Sequence, residues 1–246
     1  MEHGTVGDAY GATLARSYRT GARPGENFEL IERDDGFISV TDAAGYFVPP
    51  AKWPRIDRWA YQRVSGRVLD IGCGAGRHAD PLTKAEFDLV GIDISPLAVE
   101  VARQRGVAAH VADIIEPPAG LGTFDTLLLL GNNVGLLGGE QQTQIVLKQL
   151  GGLVRPGGQI IGVGMDPFLG AGPEHLAYHE RNRQLGRPAG LARIRYRDRN
   201  LVTPWIDQIF LPLHELAEAI DATPWSVEET YTEGADYAVR LRFIGR

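Results

Sequence analysis

The chain has 246 residues, of which 43% are apolar and 23% charged, a composition that is ordinary for a globular protein and argues against disorder. Its 25 basic and 31 acidic residues give a net charge of -6, which disfavours non-specific binding to nucleic acid or to an anionic membrane. A single cysteine, Cys73, excludes an intrachain disulfide and a four-thiolate zinc site. Neither a secretory signal nor a membrane span is predicted, so we expect a protein of the reducing cytoplasm.

The hydrophobic pattern changes at residue 67. Residues 1–66 show no strong period, and only a helix at about 55–64 is predicted there. From residue 67 short β-rich runs alternate with helical ones, which predicts a parallel sheet covered by helices on both faces. The predicted strands are 67–71, 88–92, 107–112, 124–130 and 159–163, and the helices between them end near 85, 105 and 154. After residue 165 the pattern predicts a helix at 174–185, a hairpin of runs 191–197 and 201–210, a helix at 212–220, and closing strands at 225–232 and 238–244.

The stretch VLDIGCGAGRH at residues 68–78 places a strand, three glycines and a helix in succession. Gly72, Gly74 and Gly76 would let the chain turn tightly and let a ligand approach the backbone closely. A dinucleotide-binding fingerprint needs its third glycine where this chain has Arg77, and the phosphate-binding P-loop pattern is missing. Asp70, just before the glycines, would repel a pyrophosphate but suits a ligand with a cation at that point, such as S-adenosylmethionine.

Two further aspartates follow the second and third predicted strands. The carboxyl ends of parallel strands share one edge of a sheet, and ligands of open α/β sheets bind at that edge. Asp93, about 20 residues after Asp70, is placed to accept hydrogen bonds from ribose hydroxyls. Asp113 could accept from an adenine amine, with Ile94 and Ile114 flanking the ring. The alternative is that these acids only cap the helices or turns that follow them.

Five segments, 68–78, 91–106, 112–114, 124–139 and 153–163, resemble in this order the motifs of class I S-adenosylmethionine-dependent methyltransferases. The runs at 31–37, 131–139 and 172–182 resemble a bacterial small-molecule type of that family. The resemblance implies a Rossmann-like α/β fold with a seven-stranded, mostly parallel sheet and an antiparallel last strand. It also implies S-adenosylmethionine as the cofactor. Its methionine part would lie at Asp70 and at the loop of Gly72, Cys73, Gly74 and Gly76, its ribose at Asp93 and its adenine near Asp113.

We therefore predict a single methyltransferase domain over 1–246. Residues 67–165 are its cofactor-binding core, and 1–66 are an N-terminal segment that covers the site. Residues 166–211 are an insertion on the substrate side, and 212–246 are the closing helix and strands.

Methyl transfer from a sulfonium is an in-line displacement. Positioning supplies roughly 7–11 kcal/mol and a general base about 3–5 kcal/mol, so a base is not required. The turn Gly131-Asn132-Asn133 after the fourth strand should lie beside the methyl group, where Gly131 and Asn132 could offer carbonyls to the cofactor and Asn133 could contact a substrate. Ordinary turn chemistry is the alternative. The Pro-Pro-aromatic signature of nucleic-acid amino methyltransferases is missing after this strand, which favours a small-molecule acceptor.

Tyrosines near the N-terminus are candidates for the acceptor site. Residues 8–18 resemble a tyrosine segment that folds over the cofactor in related enzymes, so Tyr10 or Tyr18 could face the methyl group. An amphipathic helix packed on the core is the alternative. Tyr46 could belong to an apolar wall of the site or to an ordinary core.

The predicted helix at 174–185 carries His175, Tyr178, His179 and Asn182 on one face. Histidine titrates near neutrality, so His175 or His179, or else Tyr178, could act in catalysis, and Asn182 could contact the substrate. A plain surface or interface face is the alternative. The two histidines have metal-ligand spacing, but no third ligand is evident and we predict no metal.

Alternation along the run 191–197 points Arg193, Arg195 and Arg197 to one side of a strand. Arg193 could bind a carboxylate or phosphate on the acceptor. A solvated face, or pairing with acids across a dimer interface, is the alternative.

Together these features predict S-adenosylmethionine-dependent methyl transfer to a small organic acceptor, driven mainly by positioning. We expect no nucleic-acid or membrane partner, and a homodimer is compatible with the sequence. Two alternatives stay open. One is a methyltransferase acting on RNA or protein, which the arginines at 181–199 keep open. The other is a non-catalytic S-adenosylmethionine-binding module, which the intact set of Asp70, Asp93 and Asp113 disfavours.

Overall fold

The structure, a computed structural model, describes residues 5–245, which form two β-sheets and seven α-helices. The strands are β1 Thr5–Val6, β2 Phe28–Arg33, β3 Ile38–Asp42, β4 Val68–Ile71, β5 Leu89–Asp93, β6 Ala108–Val111, β7 Phe124–Leu129, β8 Val154–Met165, β9 Leu191–Asp198, β10 Leu201–Val202, β11 Ile206–Ile209, β12 Trp225–Glu233 and β13 Asp236–Phe243. The helices are α1 Ala9–Arg19, α2 Arg55–Tyr61, α3 Ala79–Lys84, α4 Pro96–Gln104, α5 Glu140–Gly151, α6 Pro173–Gln184 and α7 Leu213–Ile220. Two 3-10 turns matter for the site, Ala43–Phe47 and Asn133–Leu137.

The larger sheet has seven strands in the order β12-β13-β8-β7-β4-β5-β6. Neighbours from β8 to β6 are parallel, and β13 is antiparallel to β8. The predicted Rossmann-like methyltransferase sheet with an antiparallel last strand is thus confirmed. Leu127, Leu128 and Leu129 of β7 are fully buried, as expected for a strand that is covered on both faces.

Helices cover both faces of this sheet. On one face α5 and α7 pack into a core that contains Leu147, Leu150 and Leu216. On the other face residues of α2, α3 and α4, among them Ile56 and Val99, form a second core. Ser95 caps α4 as its sequence predicts, because its hydroxyl accepts from the Ala98 amide at 3.1 Å and Pro96 opens the helix.

The second sheet, called here the cap sheet, has the order β1-β10-β9-β2-β3, with β11 paired to β9 as well. The predicted hairpin after residue 190 is confirmed, since β10 and β11 both run antiparallel to β9. The central pairing joins β2 to β9 and places Ile31 opposite Tyr196 and Arg33 opposite Ile194. The cap sheet therefore combines segments that are far apart in the sequence.

Several predicted boundaries are wrong. Residues 28–42 contain β2 and β3, although no strand is predicted there, because their short FELIER and ISVTD runs do not alternate regularly. The run 201–210 is two strands, since Pro204 lies between β10 and β11 and cannot donate to a ladder. The helix after the glycines starts only at Ala79. Helix α5 ends at Gly151, and Val154 opens β8 instead of closing the helix.

Within residues 5–245 no helix is both long and apolar enough to cross a membrane. The same residues contain no group of three His, Cys, Asp or Glu side chains that could hold a metal ion.

Candidate functional site

The glycine-rich turn connects β4 to α3 at the carboxyl edge of the larger sheet. Gly72, Gly74 and Gly76 all have positive φ, at 71°, 53° and 78°, a backbone conformation that favours glycine. The Gly72 and Cys73 amides donate to the Ile92 carbonyl at 2.8 and 3.0 Å, which fastens the turn to β5. The Cys73 thiol packs into the core, 2.8 Å from the place that a Cβ on Gly91 would take, so only the backbone of Cys73 is available to a ligand.

Two buried carboxylates lie next to this turn. Asp70 is 2% exposed and Asp93 is 8% exposed. Burial, with the nearby charge of Asp93, raises the pKa of Asp70 to about 7. Burial also raises the pKa of Asp93, although its oxygens accept from the Gly74 and Ser95 amides at 2.8 Å each. A ligand that brings a cation to Asp70 would stabilise the ionised carboxylate and so lower its raised pKa. The two carboxylates, as hydrogen-bond acceptors, therefore fit the ammonium and ribose hydroxyls of S-adenosylmethionine.

The residues predicted to flank the adenine lie at a more open edge. Ile94 is 65% exposed and Asp113 is also exposed. One Asp113 oxygen accepts from the Ile115 amide at 3.1 Å, as a turn-capping residue would. Ile114 is half-buried and packs against the larger core. These positions are not brought into the cavity that the glycine turn borders.

A cavity of about 830 Å³ separates the glycine turn from the cap sheet. This volume is within the range of small-molecule sites, which is about 300–1,000 Å³. Its core wall includes Gly72, Cys73, Gly74, Arg77, His78, Leu130, Gly131, Asn132 and Asn133. Its cap wall includes Tyr10, Glu29, Ile31, Arg33, Tyr46, His175, Tyr178, His179, Ala192, Ile194, Tyr196, Gln208 and Phe210.

The turn after β7 supports the glycine loop. Asn132 has φ of 70°, in the left-handed region, and Gly131 before it has φ of 68°. The side-chain amide of Asn133 donates to the backbone carbonyls of Ile71 and Gly72 at 3.0 and 2.9 Å. All three residues of the turn border the cavity, and the side chain of Asn133 has backbone partners at the end of β4. The cofactor contacts of Gly131 and Asn132 and the substrate contact of Asn133 stay predictions.

Tyr10 and Tyr46 both border the cavity, whereas Tyr18 does not. The Tyr10 hydroxyl is 2.9 Å from the position that a Cβ on Gly74 would take, so the ring lies over the glycine turn. Its ring centroid is 6.0 Å from that of Tyr46 and 5.1 Å from that of Tyr196. Tyr18 instead stacks on Phe47, with the centroids 5.8 Å apart. Tyr196 was not singled out in the sequence, although it alternates with the arginines of β9.

Helix α6 presents its predicted polar face, but each polar group has a protein partner. Arg33 can only donate, so its 2.9 Å contact makes Nδ1 of His175 an acceptor. The Tyr178 hydroxyl donates to Asp34 at 2.6 Å and accepts from the Arg193 amide at 3.1 Å.

The other two residues of this face contact backbone carbonyls. The ring nitrogens of His179 lie 2.7 Å from the Ala189 oxygen and 3.2 Å from the Pro167 oxygen. Asn182 donates to the carbonyls of Ala189 and Leu191 and is 1% exposed. The proposed catalytic role of His175, Tyr178 and His179 stays a prediction. The contacts of His175 and Tyr178 join α6 to the cap sheet, and those of His179 join it to the loops before α6 and β9.

The arginines of β9 point away from the cavity. Arg195 and Arg197 both pair with Glu32 of β2, and Arg193 is exposed. The opposite face of the same strand, with Ala192, Ile194 and Tyr196, borders the cavity. The predicted alternation is therefore correct, but the apolar side of the strand faces the site.

Sequence reasoning missed one group of cavity residues and one buried carboxylate that holds two others in place. Glu29, Ile31 and Arg33 face the cavity from β2, but both faces of this strand mix polar and apolar residues, so its sequence carries no period-2 signal. Asp57 accepts from Arg77 at 2.7 Å and lies 3.4 Å from the His78 ring, whose pKa burial lowers. No local pattern links Asp57 to residues 77–78, because α2 meets the turn only in the folded chain.

Comparison with known proteins gives a consistent picture of the core. Residues 68–158 match the family described as Methyltransferase domain. A Probable tRNA methyltransferase 9B from Homo sapiens is 29% identical over 110 residues, which are 44% of this chain and 24% of that protein. A Ubiquinone biosynthesis O-methyltransferase from Mesorhizobium japonicum is 33% identical over 114 residues, 44% of each chain. The chain thus matches about a quarter and somewhat under half of the lengths of these relatives.

Two solved structures share the fold over nearly the whole chain. A SAM-dependent methyltransferase from Bacteroides fragilis in complex with S-adenosyl-L-homocysteine is 23% identical, with a TM-score of 0.79 and 98% of both chains covered. The CcbJ methyltransferase from Streptomyces caelestis is 15% identical, with a TM-score of 0.65 over 96% of this chain and 98% of that one. Residues 68–158 therefore match a methyltransferase domain, and the sheet order, the glycine turn and these similarities agree that the chain has the fold of the class I S-adenosylmethionine-dependent methyltransferases.

Proposed function

We propose that the chain transfers the methyl group of S-adenosylmethionine to a small organic acceptor bound between the glycine turn and the cap sheet. The observation that carries the proposal is the cavity of about 830 Å³, which lies between the glycine turn and a wall of aromatic and apolar side chains. The sulfonium of the cofactor supplies the methyl group as an electrophile. The residues of the chain bind, orient and exclude water.

On the cofactor side, the proposal gives Asp70 the ammonium and Asp93 the ribose. Support comes from the burial of both carboxylates at the strand edge and from the raised pKa values that an incoming cation would lower. Asp113 and Ile114 keep their proposed place near the adenine, at the open end of the edge. Gly72, Gly74 and Gly131 provide backbone that a ligand can approach closely.

On the acceptor side, we propose that the N-terminal segment and the insertion act together as one cover over the core, within a single domain spanning 1–246. Support comes from the pairing of β2 with β9, which builds the cover from both segments. Water exclusion and alignment of the acceptor with the methyl group are then the main contributions to the rate.

A second candidate, methylation of tRNA, is favoured by the names of some relatives. The size of the cavity and the pairing of Arg195 and Arg197 with Glu32 on the face away from it favour the small molecule instead. An RNA substrate would need an exposed basic surface leading to the methyl group.

The test has two stages. Calorimetric titration with S-adenosylhomocysteine and, separately, with NAD(H) should show binding of the former alone; the reverse result, or no binding, contradicts the proposal. Methyl-labelled S-adenosylmethionine is then incubated with a panel of small acceptors and with bulk tRNA. Label in the small-molecule fraction supports the proposal, while label confined to tRNA supports the second candidate.

A further inference from the structure

We propose that the acceptor is a basic amine, which Glu29 binds by its carboxylate beside the rings of Tyr10, Tyr46 and Tyr196. The proposal rests on the proposed function and names the substrate class of the same cavity.

The position of Glu29 is set by the cap sheet. It lies on β2, where Glu29, Ile31 and Arg33 alternate toward the cavity and Glu32 points to the other side. The residue is only 5% exposed. The carboxylate is therefore held at the cavity wall and sheltered from bulk water.

This carboxylate has one neutral donor and no cation. One Glu29 oxygen accepts from the Tyr46 hydroxyl at 2.8 Å, its one side-chain hydrogen bond among residues 5–245. Burial raises the pKa of Glu29, and no described Lys, Arg or His offsets that effect. Glu32, three residues further along the strand, instead pairs with Arg195 and Arg197, which lower its pKa. A buried carboxylate without a cation is costly, so the open oxygen of Glu29 is suited to a positively charged ligand.

The rings around Glu29 fit the same ligand. Tyr10 lies between Tyr46 and Tyr196, at centroid distances of 6.0 and 5.1 Å. The faces of tyrosine rings attract ammonium groups, and the attraction strengthens when water is excluded. An alcohol would leave the ionised carboxylate without a cation, and a carboxylate acceptor would be repelled by it. Among common acceptor classes the amine is thus the one that the charge and the rings both favour.

Methylation of the amine needs only the bound ammonium, the Glu29 carboxylate and the methyl group of S-adenosylmethionine. A bound ammonium gives one proton to the Glu29 carboxylate, which leaves a lone pair on nitrogen. That lone pair forms the bond to the methyl carbon while the carbon–sulfur bond breaks and its electron pair stays on sulfur. The products are a methylated ammonium, S-adenosylhomocysteine and protonated Glu29, which releases its proton to solvent. The titratable groups facing Glu29 are the phenols of Tyr10, Tyr46 and Tyr196.

The test uses amines and alcohols of the same skeleton, phenethylamine with 2-phenylethanol and cyclohexylamine with cyclohexanol, titrated into the complex with S-adenosylhomocysteine. We expect the amines to bind at least about tenfold more tightly than the alcohols, which is the effect of one charged hydrogen bond. Glu29→Gln should remove this preference. Glu32→Gln, the same substitution on the other face of the same strand, should retain it. Normal S-adenosylhomocysteine binding in all three proteins separates failure of this proposal from failure of the proposed function.

Three outcomes would overturn the assignment. The first is equal or tighter binding of the alcohols, or no amine binding, while S-adenosylhomocysteine binds normally. The second is that Glu29→Gln weakens binding of S-adenosylmethionine but not of S-adenosylhomocysteine, since Glu29 would then face the sulfonium. The third is an amine that binds preferentially but gains no methyl group when S-adenosylmethionine replaces S-adenosylhomocysteine.

Discussion

The larger sheet and the cap sheet are built in different ways. Strands β4 to β8 follow one another along the chain, and each connects to the next through a local crossover. Their interiors are continuous apolar runs such as Leu127–Leu129, which need both faces covered. The cap sheet instead joins β2 and β3 to β9, more than a hundred residues away, and one of its faces borders a cavity. The comparison teaches that the larger sheet is held by an extensive buried core, whereas the cap sheet, which borders the cavity, has a much smaller buried cluster.

The sharpest test of this contrast truncates one aliphatic side chain in each sheet. Leu128→Ala in β7 should lower the free energy of unfolding by about 2–5 kcal/mol, because a fully buried leucine leaves a cavity behind. Ile194→Ala in β9 should cost less than about 2 kcal/mol, since its side chain already borders a cavity. Urea denaturation followed by circular dichroism measures both. Equal losses of unfolding free energy in the two variants would contradict the expected difference between the two sheets.

A second test concerns the electrostatic cost of the cofactor site. The pKa of Asp70 is raised to about 7 in the folded chain, above the unfolded value of about 3.9. The folded state therefore holds this proton more tightly, and ionisation of Asp70 removes stability as the pH rises from about 4 to 7. Asp70→Asn should raise the stability of the ligand-free protein on the order of 2–4 kcal/mol at pH 8 and by little at pH 4. Melting curves at both pH values check this, and a gain independent of pH would contradict it.

Cofactor affinity provides a third test. Asp93→Ala should weaken S-adenosylhomocysteine binding by roughly 1.5–3 kcal/mol, because charge-assisted hydrogen bonds are lost. The matched change Asp113→Ala should cost less than about 1 kcal/mol, since Asp113 is exposed whereas Asp93 is buried beside the glycine turn. Calorimetric titration of the two variants measures the difference. A larger loss for Asp113 would reverse the order of importance of the two strand ends.

The smallest effect is expected on the outer face of the cap sheet. Glu32→Gln breaks the ion pairs with Arg195 and Arg197, whose side chains are partly exposed, and should cost about 0–1 kcal/mol. Because this face points away from the cavity, cofactor affinity should not change. Thermal unfolding and calorimetry check the two statements. A loss of stability well above about 1 kcal/mol would mean that the ion pairs of Glu32 contribute substantially to the stability of the cap sheet.

Most of the core could be predicted from the sequence because its signals are local. The glycines at 72, 74 and 76 imply a tight turn, and Ser95 with Pro96 implies a helix start; both appear in the structure. The alternation of β9 was also visible, but alternation alone does not say which side faces a cavity. The charge of Arg193 suggests a ligand contact, whereas Ile194 and Tyr196 occupy the cavity wall.

The sequence by itself determined the mostly parallel sheet, the glycine turn and the row of strand-end acids, because these depend on residues close together in the chain. The tertiary structure alone decided the cap side of the cavity. It paired β2 with β9, turned Glu29 and Tyr196 toward the same cavity and gave the α6 side chains internal partners. The physical reason is that long-range strand pairing depends on burial and complementary packing across the whole fold, which no local period encodes.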